Sequence, residues 1–300
     1  MRCDKRGVTA KHKGILPMTD QAYTPPEVWT HDAENGGKFA NINAPTAGSR
    51  ESRELPVGDH PFQLYSLATP NGVKANMILE ELIEAGHPLD YDAWLINIGE
   101  GEQFTSGFVD INPNSKIPAL VDRTGKNPIR VFESGAIMLH LAEKFGAFLS
   151  DTPAGRAEML SWLFWQIGSA PSIGGGFGHF YAYAPEKYEY PINRYAMETK
   201  RLFDVADKRL AETDYLAGND YTIADMAAFA WLAPFVEGTI YNDAHTFLSI
   251  REYKNVARWA NAIALRPAVK RARMVNKTWG EENEQVPNRH SAADFAGKSL

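Results

Sequence analysis

Thr69-Pro70-Asn71-Gly72 stands between a strand-like run, Gln63-Leu64-Tyr65-Ser66-Leu67, and a helical pattern. Two polar side chains and two backbone breakers at that handover describe a corner where N–H groups and the positive end of a helix dipole are exposed. Such a corner can hold an anion or a nucleophile. The plainer reading is a turn in which Asn71 caps the helix, and capping uses the same geometry. Glu133-Ser134 repeats the theme. Ser134 reads as an N-cap whose free N–H groups favour a carboxylate, with Glu133 as a negative charge for an ammonium; an ordinary serine cap has the same signature. Ile117-Pro118 reads, on periodicity, as a proline opening an edge strand. Lys116 by itself reads as a solvated surface lysine.

Other polar patterns carry less. Gly174-Gly175-Gly176-Phe177-Gly178 lacks the following Gly-Lys-Ser/Thr and the preceding strand of a phosphate loop. His179 has no partner at metal-ligand spacing, so no metal site is expected. Thr222 and Asp225 form a capping box ahead of an apolar run, which is folding chemistry. Trp162, Phe164, Trp165, Phe177, His179, Phe180, Tyr181 and Tyr183 make an aromatic-rich stretch, about half of it expected in the core and the rest walling a second-substrate site.

The elements that must position these residues follow from periodicity. Strands are expected at 62–67, 91–96, 117–122 and 129–132, with helices at 73–85 and 134–144 and a short one within 99–109. From residue 156 onward the pattern is helical, with candidates at 153–170, 189–212, 222–237 and 252–264. Residues 276–300 read as a polar, aperiodic tail. Residues 1–17 read as a basic leader or an upstream start before Met18, without the apolar stretch of a signal peptide. Residues 18–58 are rich in Pro, Gly, Asn and Glu and read as an extended arm, with Phe39-Ala40-Asn41-Ile42-Asn43 as a patch able to dock. The bounds expected are therefore 1–58, 59–148, 149–275 and 276–300.

The 300 residues are 44% hydrophobic and 23% charged, with a net charge of −6. No basic stripe indicates nucleic acid and no run has the length of a membrane span. The single cysteine, Cys3, lies in the leader, which fits a reducing, cytoplasmic compartment.

The order β-α-β-α-β-β-α followed by a helical half resembles the soluble glutathione transferases: a thioredoxin-like N-terminal domain, then an all-helical C-terminal domain. The strings YSLATPNG, NPNSKIPAL, VFESGAI, WLFWQ, GGGFGHF, INRYAMETKRL and YTIADMA, in that order, resemble the bacterial Nu class, in its long-armed disulfide-bond reductase subgroup. The resemblance implies glutathione as co-substrate, no metal, a homodimer, and disulfide reduction with two glutathione molecules or glutathione disulfide per site. It adds weaker hydroperoxide reduction. Alternatives are a conjugating transferase and a non-catalytic glutathione-binding stress module.

The same resemblance assigns roles. Thr69 and Asn71 would activate the thiol, with Pro70 beside them, and Tyr65 would not. Pro118 would be cis, turning the backbone of Ile117 outward to pair with the peptide. Glu133 and Ser134 would take the γ-glutamyl ammonium and carboxylate, Lys116 the glycyl carboxylate, and Gln103 and Asn43 the peptide groups. Gln166 would also bind glutathione. Arg194 would hold a carboxylate of the second glutathione, against the ordinary alternative of an ion pair with Glu198 four residues on.

Overall fold

A computed structural model describes residues 23–32, 42 and 45–299. Two units are distinguished, residues 1–32 and 33–300. The described part of the first has no regular structure, and the strands and helices all belong to the second. Of the expected docking patch only Ile42 is described; Asn43, the rest of the patch, Cys3 and the leader lie outside the described residues.

Four strands, β1 (Phe62–Ser66), β2 (Tyr91–Leu95), β3 (Ala119–Asp122) and β4 (Ile129–Phe132), form one sheet in the order β2-β1-β3-β4. β1 runs parallel to β2 and antiparallel to β3, and β3 is antiparallel to β4. Every residue of β1 is buried because both sheet faces are covered. Phe62 and Leu64 join the main core with α1 (Pro70–Glu84) and α3 (Ser134–Phe145), while Tyr65 joins a smaller core with Phe108 of α2 (Ser106–Ile111).

The helical half contains α4 (Pro153–Pro171), a π-helical stretch (Ser172–Tyr183), α5 (Glu189–Leu210), α6 (Ile223–Glu237), α7 (Ala244–Phe247), α8 (Lys254–Ala264) and α9 (Pro267–Ala272). The capping box at Thr222 and Asp225 forms as expected and starts α6, whose first eleven residues are all buried. A helix apolar all round is a central one, and α6 packs against α1, α4 and α8.

Helix α1 buries more than the one apolar face, Ile78, Leu79, Leu82 and Ile83, that its periodicity offers. Lys74, Asn76, Glu80 and Glu81 are buried along with Met77, Ile78, Leu79 and Leu82. The reason is a second packing surface. Asn76 donates to the carbonyls of Ala272 (3.1 Å) and Val275 (3.0 Å), Arg266 grips Glu81 through two 2.6 Å bonds, and Arg271 pairs with Glu80 (2.7 Å) and Glu84 (2.7 Å). These polar residues are the seam between the two halves.

Two segments that read as loose in the sequence are docked. Residues 50–53 lie along residues 104–107: Arg50 N–H donates to Phe104 O (2.8 Å), Ser106 N–H to Glu51 O (2.8 Å) and Gly107 N–H to Arg53 O (3.0 Å). Residues 276–299 are a strap over the sheet edge and not a free tail. Arg289 exchanges backbone bonds with Ala93 of edge strand β2 (2.7 and 3.0 Å), and Asn288 Oδ1 accepts from Leu95 N–H (2.9 Å). The Arg289 side chain is buried, stacks on Tyr91 at 3.9 Å, donates to Tyr91 O (2.6 Å) and pairs with Glu80 (3.2 Å) and Asp90. An edge strand presents unpaired backbone groups that need cover; this strap supplies them with partners and neutralises carboxylates in the same step.

Arg289→Ala should therefore lower the unfolding free energy by about 3 kcal/mol, as expected when one partner of a buried ion pair is removed. Chemical denaturation checks this. An unchanged midpoint would mean that the strap covers the sheet without stabilising it.

Candidate functional site

Helix α1 starts at the corner singled out in the sequence. Thr69 is its N-cap, Pro70 its first residue, and the Thr69 hydroxyl oxygen accepts from Gly72 N–H at 3.4 Å. An oxygen that accepts there keeps its own hydrogen for another partner. Gly72 is required by proximity: a Cβ on it would stand 1.9 Å from the carbonyl oxygen of Leu67. Only a bare backbone lets the helix begin so close to the end of β1.

Asn71 is oriented from the other half of the molecule. Trp231 of α6 donates its indole N–H to Asn71 Oδ1 at 2.9 Å. An indole nitrogen is a donor only, so it selects the oxygen end of the amide and leaves the NH2 end to donate elsewhere. The Trp231 ring lies against Gly174, where a Cβ would approach it to 2.6 Å. The glycine string thus serves close packing, as its failure to match a phosphate loop requires.

Tyr65 is turned away. Its hydroxyl donates to Pro56 O at 2.7 Å, and burial first of all pushes its pKa up to about 12. It takes no part in the corner.

The Ile117-Pro118 peptide bond is cis, as the resemblance implies. Glu133 differs in detail from the expectation: it is the N-cap of α3, with φ 72°, and Ser134 is the first helical residue. Glu133 is exposed at the mouth of α3, with Asn114 donating to its carboxylate at 3.4 Å, and Ser134 is buried at the helix N-terminus.

These residues face one cleft of about 500 Å³. Of the expected residues it gathers Thr69, Pro70, Asn71, Gln103, Lys116, Ile117, Glu133 and Ser134. Gln103 is buried and donates to Ile98 O (3.4 Å), while its Oε1 has no partner among the described residues; the same holds for Ser115 Oγ. Buried polar atoms are normally paired, so unpaired ones in a cleft mark where a polar ligand fits. Lys116 reaches Ile42 O at 3.5 Å, and its pKa is lowered by burial and by Arg50.

Gln166 and Arg194 are not among the residues lining this cleft. Gln166 is buried in α4 with neither amide atom paired among the described residues. Arg194 is exposed on α5. The expected alternative, a pair with Glu198, is taken over by Arg201, which holds both oxygens of Glu198 at 2.6 and 3.0 Å.

The aromatic stretch divides less evenly than expected: Trp162, Trp165 and Tyr181 are partly buried against the core, and Phe164 is exposed. Phe177 is fully buried, whereas His179 and Tyr183 line the cleft with Tyr241 and Trp231. A second cavity of about 690 Å³ adjoins the corner, sharing Thr69, Pro70, Tyr183 and Ile240 with the cleft. Its cations, Arg273 and Lys277, are paired with Glu237 and Glu284. Sequence reasoning missed Trp231, Ser115, Tyr241 and the second cavity. Trp231 sits in an all-apolar helix, where nothing local marks it as polar.

A thioredoxin-like domain and a helical domain, with a polar cleft at the N-terminus of α1, define a glutathione-binding class of fold. Comparison with known proteins is specific. The glutathione S-transferase N-terminal domain model matches residues 60–143 and the C-terminal domain model residues 169–267. "Disulfide-bond oxidoreductase YghU" of Escherichia coli (strain K12) is 58% identical over 279 residues, 93% of this chain and 96% of that protein. The crystal structure of a glutathione transferase YghU from Streptococcus pneumoniae, complexed with glutathione, has a TM-score of 0.84 and 56% identity, covering 86% of this chain and 99% of that one. A glutathione transferase from Pseudomonas putida, with one glutathione disulfide per subunit, gives 0.65 and 37%, covering 71% and 91%. The chain belongs to the glutathione S-transferase family. Among the described residues no helix is long and apolar enough to cross a membrane, and no group of three His, Cys, Asp or Glu is arranged to hold a metal.

Trp231→Phe keeps a ring on Gly174 and deletes the donor that orients Asn71. It should raise the pKa of a bound glutathione thiol by about one unit, the worth of one hydrogen bond to a charged group. The thiolate absorbance of the complex checks this; an unchanged value would mean that Asn71 is oriented without Trp231.

Proposed function

We propose that the protein is a glutathione-dependent disulfide-bond reductase that uses Thr69 and Asn71 to hold a glutathione thiolate. The observation that carries this reading is a corner of neutral donors on a helix N-terminus in a chain whose only cysteine is Cys3. A free thiol has a pKa near ~8.5, and donors at a helix N-terminus lower it. With no cysteine at the corner, both sulfurs that become oxidised come from glutathione.

The thiolate of the first glutathione attacks one sulfur of the substrate disulfide. An S–S bond forms, the substrate S–S bond breaks, and the departing thiolate takes a proton from water. The thiolate of a second glutathione then attacks the sulfur of the first in the mixed disulfide. Glutathione disulfide forms and the second substrate thiol leaves. One disulfide is reduced and two glutathiones are oxidised.

Glu133 and Ser134 bind the γ-glutamyl end, Lys116 the glycyl carboxylate, and Gln103, Asn43 and the backbone of Ile117 the peptide groups; Gln166 belongs to the same reading as a further glutathione contact and Arg194 as the contact of the second glutathione moiety. The bound glutathione disulfide of the Pseudomonas putida relative supports a cleft for two such moieties. Weaker hydroperoxide reduction, a cytoplasmic setting and a homodimer are part of it, as are the domain bounds 59–148 and 149–275. The larger cavity beside the corner favours a second reading, conjugation of an apolar electrophile.

Two variants separate these. Thr69→Ala with Asn71→Ala should cut turnover of 2-hydroxyethyl disulfide about a hundredfold or more without loss of fold, as for other anion-stabilising donors; normal turnover would refute the corner's role. Arg194→Ala should impair disulfide reduction and spare conjugation of a small uncharged electrophile. Equal loss in both reactions, or none in either, would sink the two-glutathione reading.

A further inference from the structure

Seven charged side chains are buried in the described structure: Lys74, Glu80, Glu81, Asp92, Asp122, Asp225 and Arg289. Six have charged or hydrogen-bonding partners. Lys74 does not. It is fully buried on α1, and its Nζ has no hydrogen-bond partner among the described residues. A buried ammonium without a partner is costly, and an apolar side chain of the same length would fill the space without that cost. Packing therefore does not account for a lysine.

Its surroundings do. Lys74 follows Asn71 by three residues, so the two share one face of α1. Both line an inner cavity of about 250 Å³ with Glu133, Ser134 and Trp231, and these four neighbours of Lys74 also line the main cleft. The smaller cavity therefore adjoins the main cleft at the N-termini of α1 and α3. Its remaining walls are Ile167, Ala170 and Pro171 of α4 and Gly174 and Gly175 of the π-helical stretch, none of them ionisable. Glu133 is the one other charge in the lining. It is exposed and does not hydrogen-bond the Lys74 ammonium. A cation and an anion that face one cavity without touching fit a ligand group that carries both opposite charges on neighbouring atoms.

We propose that Lys74 is a carboxylate-binding residue: its ammonium, with Ser134 at the α3 N-terminus, takes the α-carboxylate of the ligand's γ-glutamyl group, while Glu133 takes the α-ammonium. The inference rests on the glutathione reading of the cleft. Burial lowers the pKa of Lys74 from 10.5 to about 7, with Glu133 pulling it back up. Above neutrality the empty cleft holds mostly the neutral amine. An arriving carboxylate favours the ammonium, so ligand binding draws a proton from solvent.

S-Methylglutathione is the probe, because it has no thiol proton to confuse the count. Calorimetric titration at pH 8 in buffers of different ionisation enthalpy should give an uptake approaching one proton per site in the wild type, the change expected for a group moved from below to above the working pH. Lys74→Met should lose most of that uptake and bind at least tenfold more weakly. The variant should also lose most of the wild type's preference for S-methylglutathione over its 4-aminobutanoyl analogue, which lacks the α-carboxylate and keeps the ammonium. A lysine with a merely structural role would leave that preference intact on substitution. No proton uptake by the wild type, or an unchanged preference in the variant, overturns the proposal for Lys74 while leaving glutathione binding standing. No binding of S-methylglutathione to the wild type overturns both.

Discussion

The bond from Trp231 to Asn71 joins the two halves of the molecule at the point where the chemistry is expected. Thr69 and the first turn of α1 are fixed by the strand that precedes them. The direction of the Asn71 amide is not: an amide turned by half a rotation would present an acceptor to an anion. A donor-only indole on α6 removes that ambiguity. The corner therefore depends on the seam between the halves as much as on its own strand and helix.

The seam explains why α1 carries so many buried polar groups. A helix covered on one side needs an apolar stripe. Helix α1 shares a core with β1 of its sheet and also packs against α3, α6 and α9, and its second surface is read out by geometry. Asn76 engages two backbone carbonyls; Glu80 and Glu81 take guanidinium groups from α9 and the residue before it. Such contacts fix a relative position more sharply than apolar contact, because a small slide breaks them. Trp231 can orient Asn71 only if α6 and α1 keep their register. The C-terminal strap extends the same device: Arg289 adds a third guanidinium to this seam, beside Glu80, while its backbone closes the edge of β2.

Much of this is legible in the sequence, and the parts that are not share a cause. Strands, helices and the capping box at Thr222 follow from local spacing. So does the corner at Thr69, because a strand, two breakers and a helix pattern are all nearby in the chain. Local spacing places the cap of α3 one residue late, since Glu133 takes that position with a positive φ that a glutamate seldom adopts. Trp231 and Lys74 are invisible as site residues: one looks like core, the other like a surface lysine, and only the approach of α6 and α3 gives each its role. The strap escapes for the opposite reason. Its partners are a strand edge and carboxylates far away in the chain, so its own polar pattern has no period to find.

The distribution of charge within the cleft follows from what must change during the reaction. In disulfide exchange the sulfur is an anion before attack, shares its charge in the transition state and is neutral after it. A fixed cation against it would stabilise the starting thiolate most and slow its attack. Neutral donors and a helix N-terminus hold the anion less firmly, and Thr69, Asn71 and α1 are of that kind. The carboxylates at the two ends of glutathione keep their charge throughout, so binding them with full cations lowers no barrier and raises none. In the proposed binding mode those cations are Lys116, which lines the main cleft, and Lys74, which lines the smaller cavity beside it. In that binding mode, binding strength is drawn from the ends of the tripeptide, which leaves the sulfur in the middle reactive.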